Sequence, residues 1–280
     1  MYLVTGATGN VGAEVVAALA GAGEPVRALV RDPARASLPA GAEAVGGDLN
    51  EPASLTDALA GVRALFLLPG YEGLAGTCGL ALRAGVERVV LLSGGSAETG
   101  DLENAVARYM ILSEQAVENS GLPWTFLRPR SFMSNALRWI PQLEKGDVVR
   151  VPFAEVPTAS IDPADIAAVA VAALMNDGHE GAVYDLTGPE PLLPAEQVAV
   201  LAEELGRDLR CEGLSDEEAR AEMSASMPAA YVDAFFAFFV DGLVDEQTVY
   251  PTVREVTGHE PRTFRQWAKA HADAFRVGGN

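Results

Sequence analysis

The chain has 280 residues, enough for one large α/β domain or a domain with a smaller appendage. Apolar residues make up 49% of it, which supports a sizeable core, yet no run of about 18 of them occurs that would cross a membrane. The net charge is −19, with 39 acidic against 20 basic residues and no basic stripe, so direct nucleic-acid binding is not expected.

The apolar run at Tyr2 to Val4 leaves no room for a signal peptide, and the expected location is cytoplasmic. Two distant cysteines, Cys78 and Cys211, form no C-x-x-C and read as buried free thiols. Three histidines, His179, His259 and His271, have no metal-ligand spacing, and no metal site is expected.

The first segment is strand, turn and helix: an apolar start, then Gly6, Gly9 and Gly12, then a helix-forming run from Glu14. Glycines suit a turn where phosphate approaches the backbone, and the N–H groups at the helix start favour an anion. With a second strand at Val26 to Val30, this is a βαβ unit that predicts a dinucleotide site at Gly6, Thr8, Gly9, Asn10, Val11 and Gly12. Arg31 follows Gly6 by 25 residues, where a guanidinium accommodates the 2′-phosphate of NADP; Asp32 beside it keeps NAD possible.

A third strand is predicted over 43–48, with Asp48 placed at the adenine edge or as a helix-capping or turn aspartate, and a helix opening over 51–55. The run 64–68 reads as a parallel strand buried on both faces, so Leu67, Leu68 and Pro69 end it at the ligand mouth. A helix over 74–84 leads to a fifth strand, 88–93, whose terminal Ser93 can hydrogen-bond a substrate carbonyl or the nicotinamide amide.

Beyond a helix at about 103–119, the strand 124–129 exits through Pro129 toward Arg130, Phe132, Met133 and Asn135. Pro129 and Phe132 are assigned to the cofactor, and Met133 and Asn135 to a small apolar pocket beside it. Asp162 is the expected N-cap of a helix over 166–175, a short strand follows at 183–186, and a helix at 194–205. From Ser215 onward the pattern is mostly helical. Aromatics at 231, 235, 238 and 239 share a helix face; core packing, a dimer interface or a lid over an aromatic substrate would cover it. Phe235 and Phe239 are its pocket candidates.

The expected architecture is a doubly wound parallel Rossmann sheet over 1–150, with 161–190 returning to it, and a smaller, mainly helical substrate domain over 191–280.

The stretches Thr5 to Gly12, Val30 to Pro33, Gly47-Asp48, Ser113 to Gln115, Ser120 to Pro129, Asp162 to Ala167 and Leu186 to Glu190 resemble the NmrA-like family of atypical short-chain dehydrogenase/reductases. That resemblance implies an NAD(P)-binding Rossmann domain and a C-terminal substrate domain. It spans quinone and dye reductases as well as regulators that bind the cofactor without turnover.

Classical members of the superfamily use Tyr-x-x-x-Lys, in which lysine lowers the tyrosine pKa. This chain cannot form it: the only lysines, Lys145 and Lys269, are preceded at four residues by Pro141 and Arg265, and Tyr109 meets Ser113. A lone tyrosine is a poor base at neutral pH. Ser93, with Tyr109 second, is then the candidate hydrogen-bond donor to the reacting oxygen. The expectation is an NADPH-dependent reductase of a quinone or other conjugated or aromatic carbonyl, with a homodimer possible. The alternative is a redox sensor that binds NADP(H) without catalysis, while a sugar-nucleotide epimerase would need the absent dyad.

Overall fold

The computed structural model describes residues 1–276. Apolar stretches punctuated by glycine and proline give β1 (Tyr2–Val4), α1 (Asn10–Gly21), β2 (Val26–Val30), β3 (Ala42–Gly46), β4 (Ala64–Leu67), α2 (Leu74–Arg83), β5 (Arg88–Leu92), α3 (Ala105–Glu118) and β6 (Trp124–Pro129). Then come α4 (Ile140–Leu143), β7 (Val148–Val151), α5 (Pro163–Met175), β8 (Ala182–Leu186), α6 (Pro194–Leu205), β9 (Arg210–Gly213) and α7 (Asp216–Ser224). The last elements are α8 (Ala229–Phe239), α9 (Thr252–Thr257), α10 (Phe264–Ala270) and α11 (Ala272–Arg276). None of these helices is long and apolar enough to cross a membrane.

Seven strands form one parallel sheet in the order β3-β2-β1-β4-β5-β6-β8. The chain starts in the middle, winds out to β3, and then crosses back to build the other half from β4. Ligands of open α/β sheets bind beyond the carboxyl ends of the strands at such a reversal. Every residue of β4 and β5 is buried, because helices cover both sheet faces.

Side-chain alternation along the strands divides the core in two. Phe66 and Val90 point to the layer that holds Val15, Val16 and Leu19 of α1 and Ile166, Val169 and Ala170 of α5. Leu65, Leu67, Val89 and Leu91 point to the opposite layer, against Cys78 and Ala81 of α2 and Val117 of α3. The expected cap of α5 is present: Asp162 accepts from the Ala164 N–H at 2.9 Å. The helix expected at 51–55 is only a 3-10 turn, Pro52–Leu55. Ser54 Oγ bonds the Glu51 carbonyl at 2.7 Å and accepts from the Asp48 N–H at 3.0 Å, a local alternative to helical pairing.

The expected boundary at residue 150 is corrected. Strand β7 pairs with β9 in a separate two-stranded sheet. Its Val149 and Val151 pack with Leu143, Leu201, Phe264 and Trp267 in a third core. Met133 is corrected with it: this side chain is 2% exposed in that core and does not line the cleft described below. A 3-10 helix, Met133–Trp139, carries the chain away from the sheet directly after β6 and turns Met133 inward. Helix α9, expected in the smaller part, packs on α5 and contributes Val253 to the first core.

Candidate cofactor and substrate site

The turn between β1 and α1 needs glycine for two separate reasons. Gly6 has φ +60°, and a Cβ there would lie 2.3 Å from Leu68 Cδ1. A Cβ on Gly12 would lie 2.2 Å from the Gly6 carbonyl oxygen, so the helix can approach the turn only without a side chain. Gly9 caps α1 without a side-chain hydrogen bond, and the N–H groups of Asn10, Val11 and Gly12 have no partner among the described residues. Val11 contributes only this backbone, since its side chain is in the core. Unclaimed donors at a helix N-terminus fit the diphosphate of a dinucleotide. Asn10 Nδ2 donates to Ser134 Oγ at 3.1 Å and ties the turn to the segment after β6.

Arg31 is exposed at the end of β2 and has no ion pair among the described residues. Asp32 instead turns back to accept from the Ala34 N–H at 3.1 Å. Asp48 is exposed and accepts from the Asn50 N–H at 2.8 Å. At the end of β4, Leu68 covers Gly6 and its N–H donates to Thr5 Oγ1 at 3.0 Å, with the half-buried Pro69 next to it. Leu67 is corrected: its side chain is fully buried in the second core, leaving only its backbone for a ligand.

Ser93 follows β5 and is 2% exposed. Its hydroxyl donates to Glu114 Oε1 at 2.6 Å. Arg128 holds the same carboxylate from Nε at 2.9 Å and Nη2 at 2.6 Å. The Ser93 proton is thus committed to Glu114, which leaves the hydroxyl oxygen as an acceptor on a residue that borders the cleft. Tyr109 packs beside Gly70 and lines the cleft. Burial pushes its phenol above the ordinary tyrosine range, and Tyr231 adds to the rise, so it stays protonated. Both lysines are exposed and away from the cleft.

Between the sheet and the smaller part lies a cleft of about 710 Å³. Ser93, Pro129, Phe132 and Asn135 border it on the sheet side; Phe153, Phe235, Phe238 and Phe239 form its apolar wall. Phe153 stacks on Phe239 with centroids 4.9 Å apart and meets Phe236 edge-on at 5.0 Å. It does so at φ +56°, the only non-glycine among the described residues with positive φ, a costly conformation for a bulky side chain. The aromatic face of α8 is therefore covered by packing with Phe153 and Val106, and its remaining edge opens onto the cleft.

Arg130 is fully buried at the cleft floor, and its Nη2 donates to Glu98 at 2.9 and 3.0 Å and to the Tyr250 hydroxyl at 3.3 Å. Its Nη1 would lie 1.7 Å from a Cβ on Gly95, so that glycine makes room for a guanidinium. The adjacent Ser131 donates to Glu246 Oε2 from both its N–H, at 3.0 Å, and its hydroxyl, at 2.8 Å. Glu246 also lines the cleft. Glu246, Phe153 and Trp139, which also lines the cleft, carry no mark in the sequence: Glu246 reaches Ser131 across 115 residues, and no local pattern singles it out.

The NAD(P)H-binding family matches residues 6–177, more than half of the chain. This chain belongs to that family. Its NmrA-like, atypical short-chain dehydrogenase/reductase character and its parallel Rossmann sheet agree with the membership. It is 44% identical to the (4-alkanoyl-5-oxo-2,5-dihydrofuran-3-yl)methyl phosphate reductase of Streptomyces griseus, covering 98% of this chain and 99% of the relative. It is 39% identical to the NAD(P)H azoreductase of Xenophilus azovorans, again over 98% and 99%. Its structure resembles the NADPH-dependent quinone oxidoreductase of Escherichia coli complexed with NADPH, with a TM-score of 0.79 at 26% identity, covering 96% of this chain and 99% of the other.

Proposed function

We propose that this protein is an NADPH-dependent reductase of conjugated carbonyl compounds, quinones or enones, that works without a tyrosine–lysine pair. The cleft carries this reading: an open space of about 710 Å³ with four phenylalanines on one wall begins where Ser93 and Pro129 end the central strands. A flat, apolar, conjugated molecule suits such a wall. The furanone named for the Streptomyces griseus relative is a conjugated carbonyl of this kind.

The cofactor, when bound, supplies the hydride. The chain's own residues hold and orient. Asn10, Val11 and Gly12 offer backbone donors to the diphosphate, and Arg31 offers its guanidinium to a 2′-phosphate. Ser93, held by Glu114, accepts from the nicotinamide carboxamide, while Tyr109, kept protonated by burial, serves as a donor to a substrate oxygen. The phenylalanine wall excludes water and stacks on the substrate.

NADPH oxidation against a panel of quinones, enones and dyes tests the reading. Turnover with at least one class is expected. Tight NADPH binding without turnover of any panel member would overturn it in favour of a cofactor sensor.

A further inference from the structure

Reduction of an enone needs more than a hydride. After hydride reaches the β-carbon, the π pair becomes an enolate, and a proton must form the new C–H bond at the α-carbon. The missing lysine and the raised phenol of Tyr109 leave this proton without an obvious source. Glu246 stands on the cleft wall, anchored through Oε2 to Ser131, between the strand exit at Pro129 and Phe132. Its Oε1 has no hydrogen-bond partner among the described residues, and its main-chain carbonyl is pinned by the Ala159 N–H at 2.7 Å.

We propose that Glu246 is the acid that protonates the substrate enolate, from Oε1, in place of the superfamily's tyrosine. This rests on the reductase reading above. In the step the Oε1–H bond breaks and the α-carbon–hydrogen bond forms; NADPH is oxidised, the carbon–carbon double bond is reduced, and the carboxylate left behind regains its proton from water in the open cleft. The charged neighbours of Glu246 are Arg130 and Asp245. Burial raises its carboxyl above the ordinary glutamate range; the Ser131 bonds and Arg130 oppose the rise, and Asp245 adds to it. Burial dominates, so the proton is retained to higher pH than on a surface glutamate.

Glu246→Gln keeps an amide oxygen for Ser131 and removes only the acid. Two substrates separate its role from that of the site as a whole: an enone, which needs hydride and proton, and a cationic triarylmethane dye, which is neutralised by hydride alone. Glu246→Gln is expected to lower kcat for the enone on the order of 10²-fold and to leave kcat for the dye within about threefold. In the unsubstituted protein the enone rate should fall as pH rises through the Glu246 pKa, and this limb should vanish in the variant. A measurement without cofactor is independent of turnover: infrared titration should show a carboxylic-acid band that disappears in Glu246→Gln, with a midpoint above the ordinary value of about 4.3. Equal loss for enone and dye, a midpoint at or below the ordinary value, or transfer of the pH limb to Tyr109→Phe would each overturn the assignment. Failure of the unsubstituted protein to reduce either substrate would instead overturn the reductase reading.

Discussion

The Ser93 hydroxyl donates to Glu114 Oε1 at 2.6 Å, so the end of β5 and the middle of α3 are joined through a carboxylate that Arg128 already grips with two nitrogens. Removing the carboxylate leaves a largely buried guanidinium unpaired. Glu114→Ala is expected to destabilise the fold by about 3 kcal/mol, and Ser93→Ala, which leaves the ion pair intact, by about 1 kcal/mol. Urea unfolding midpoints at constant slope would measure both; equal losses would contradict this account.

Gly12→Ala would drive a methyl group against the Gly6 carbonyl. The turn must open, and the donors of Asn10 to Gly12 lose their shared aim. NADPH affinity is expected to fall at least about tenfold, equivalent to about 1.4 kcal/mol. Calorimetric titration reads it directly, with Gly21→Ala, where a Cβ meets nothing within 4 Å, as the comparison.

Arg31→Glu exchanges the free guanidinium for a charge that repels the 2′-phosphate and can accept from a ribose hydroxyl. A charge-assisted hydrogen bond contributes about 1.5–3 kcal/mol, so the Kd for NADPH should rise about 10- to 100-fold. The Kd for NADH should change little or improve. A parallel loss for both cofactors would place the 2′-phosphate elsewhere.

Asp165 supplies a pH dependence of stability. Burial pushes its carboxyl up to about 6, assisted by the nearby Asp162 and opposed by the hydrogen bond that it accepts from the Arg262 N–H at 2.7 Å. Its unfolded value is about 3.9. Between these values the folded state binds more proton than the unfolded state, so its contribution to stability declines as pH rises through the window. Asp165→Asn should therefore stabilise at pH 7 by on the order of 2 kcal/mol and by little below about pH 4. Thermal unfolding at the two pH values would reveal the difference.

Phe239→Ala removes the ring stacked on Phe153 and opens the cleft wall. The KM for an aromatic quinone is expected to rise about tenfold, with a smaller change in kcat, because the proposed role of the ring is to stack on the substrate and not to contact the reacting atoms. Steady-state kinetics with a small aliphatic enone as the second substrate would show a weaker effect.

Much of the cofactor half was legible in the chain because its determinants are local. Gly6 and Gly12 announce a turn, β4 and β5 announce double-sided burial by unbroken apolar runs, and Asp162 announces a helix start. The smaller part was less legible. Strand β7 is four residues, Val148–Val151, with no turn signal tying it to β9, and its partner lies about sixty residues away. Met133 is a pocket residue by position in the sequence, yet the 3-10 turn directs it into a core whose members are drawn from segments as distant as β7, α6 and α10.

The sequence by itself determined the nucleotide cradle, the strand order's starting unit and the absence of a tyrosine–lysine acid, since each depends on residue types at short, fixed spacings. The tertiary structure alone decided which groups face the cleft. It turned the Ser93 proton toward Glu114 and away from the cleft, used Gly95 to admit Arg130, and brought Glu246 to Ser131 across 115 residues. Side-chain direction and burial are set by packing between distant segments, and no local pattern encodes them.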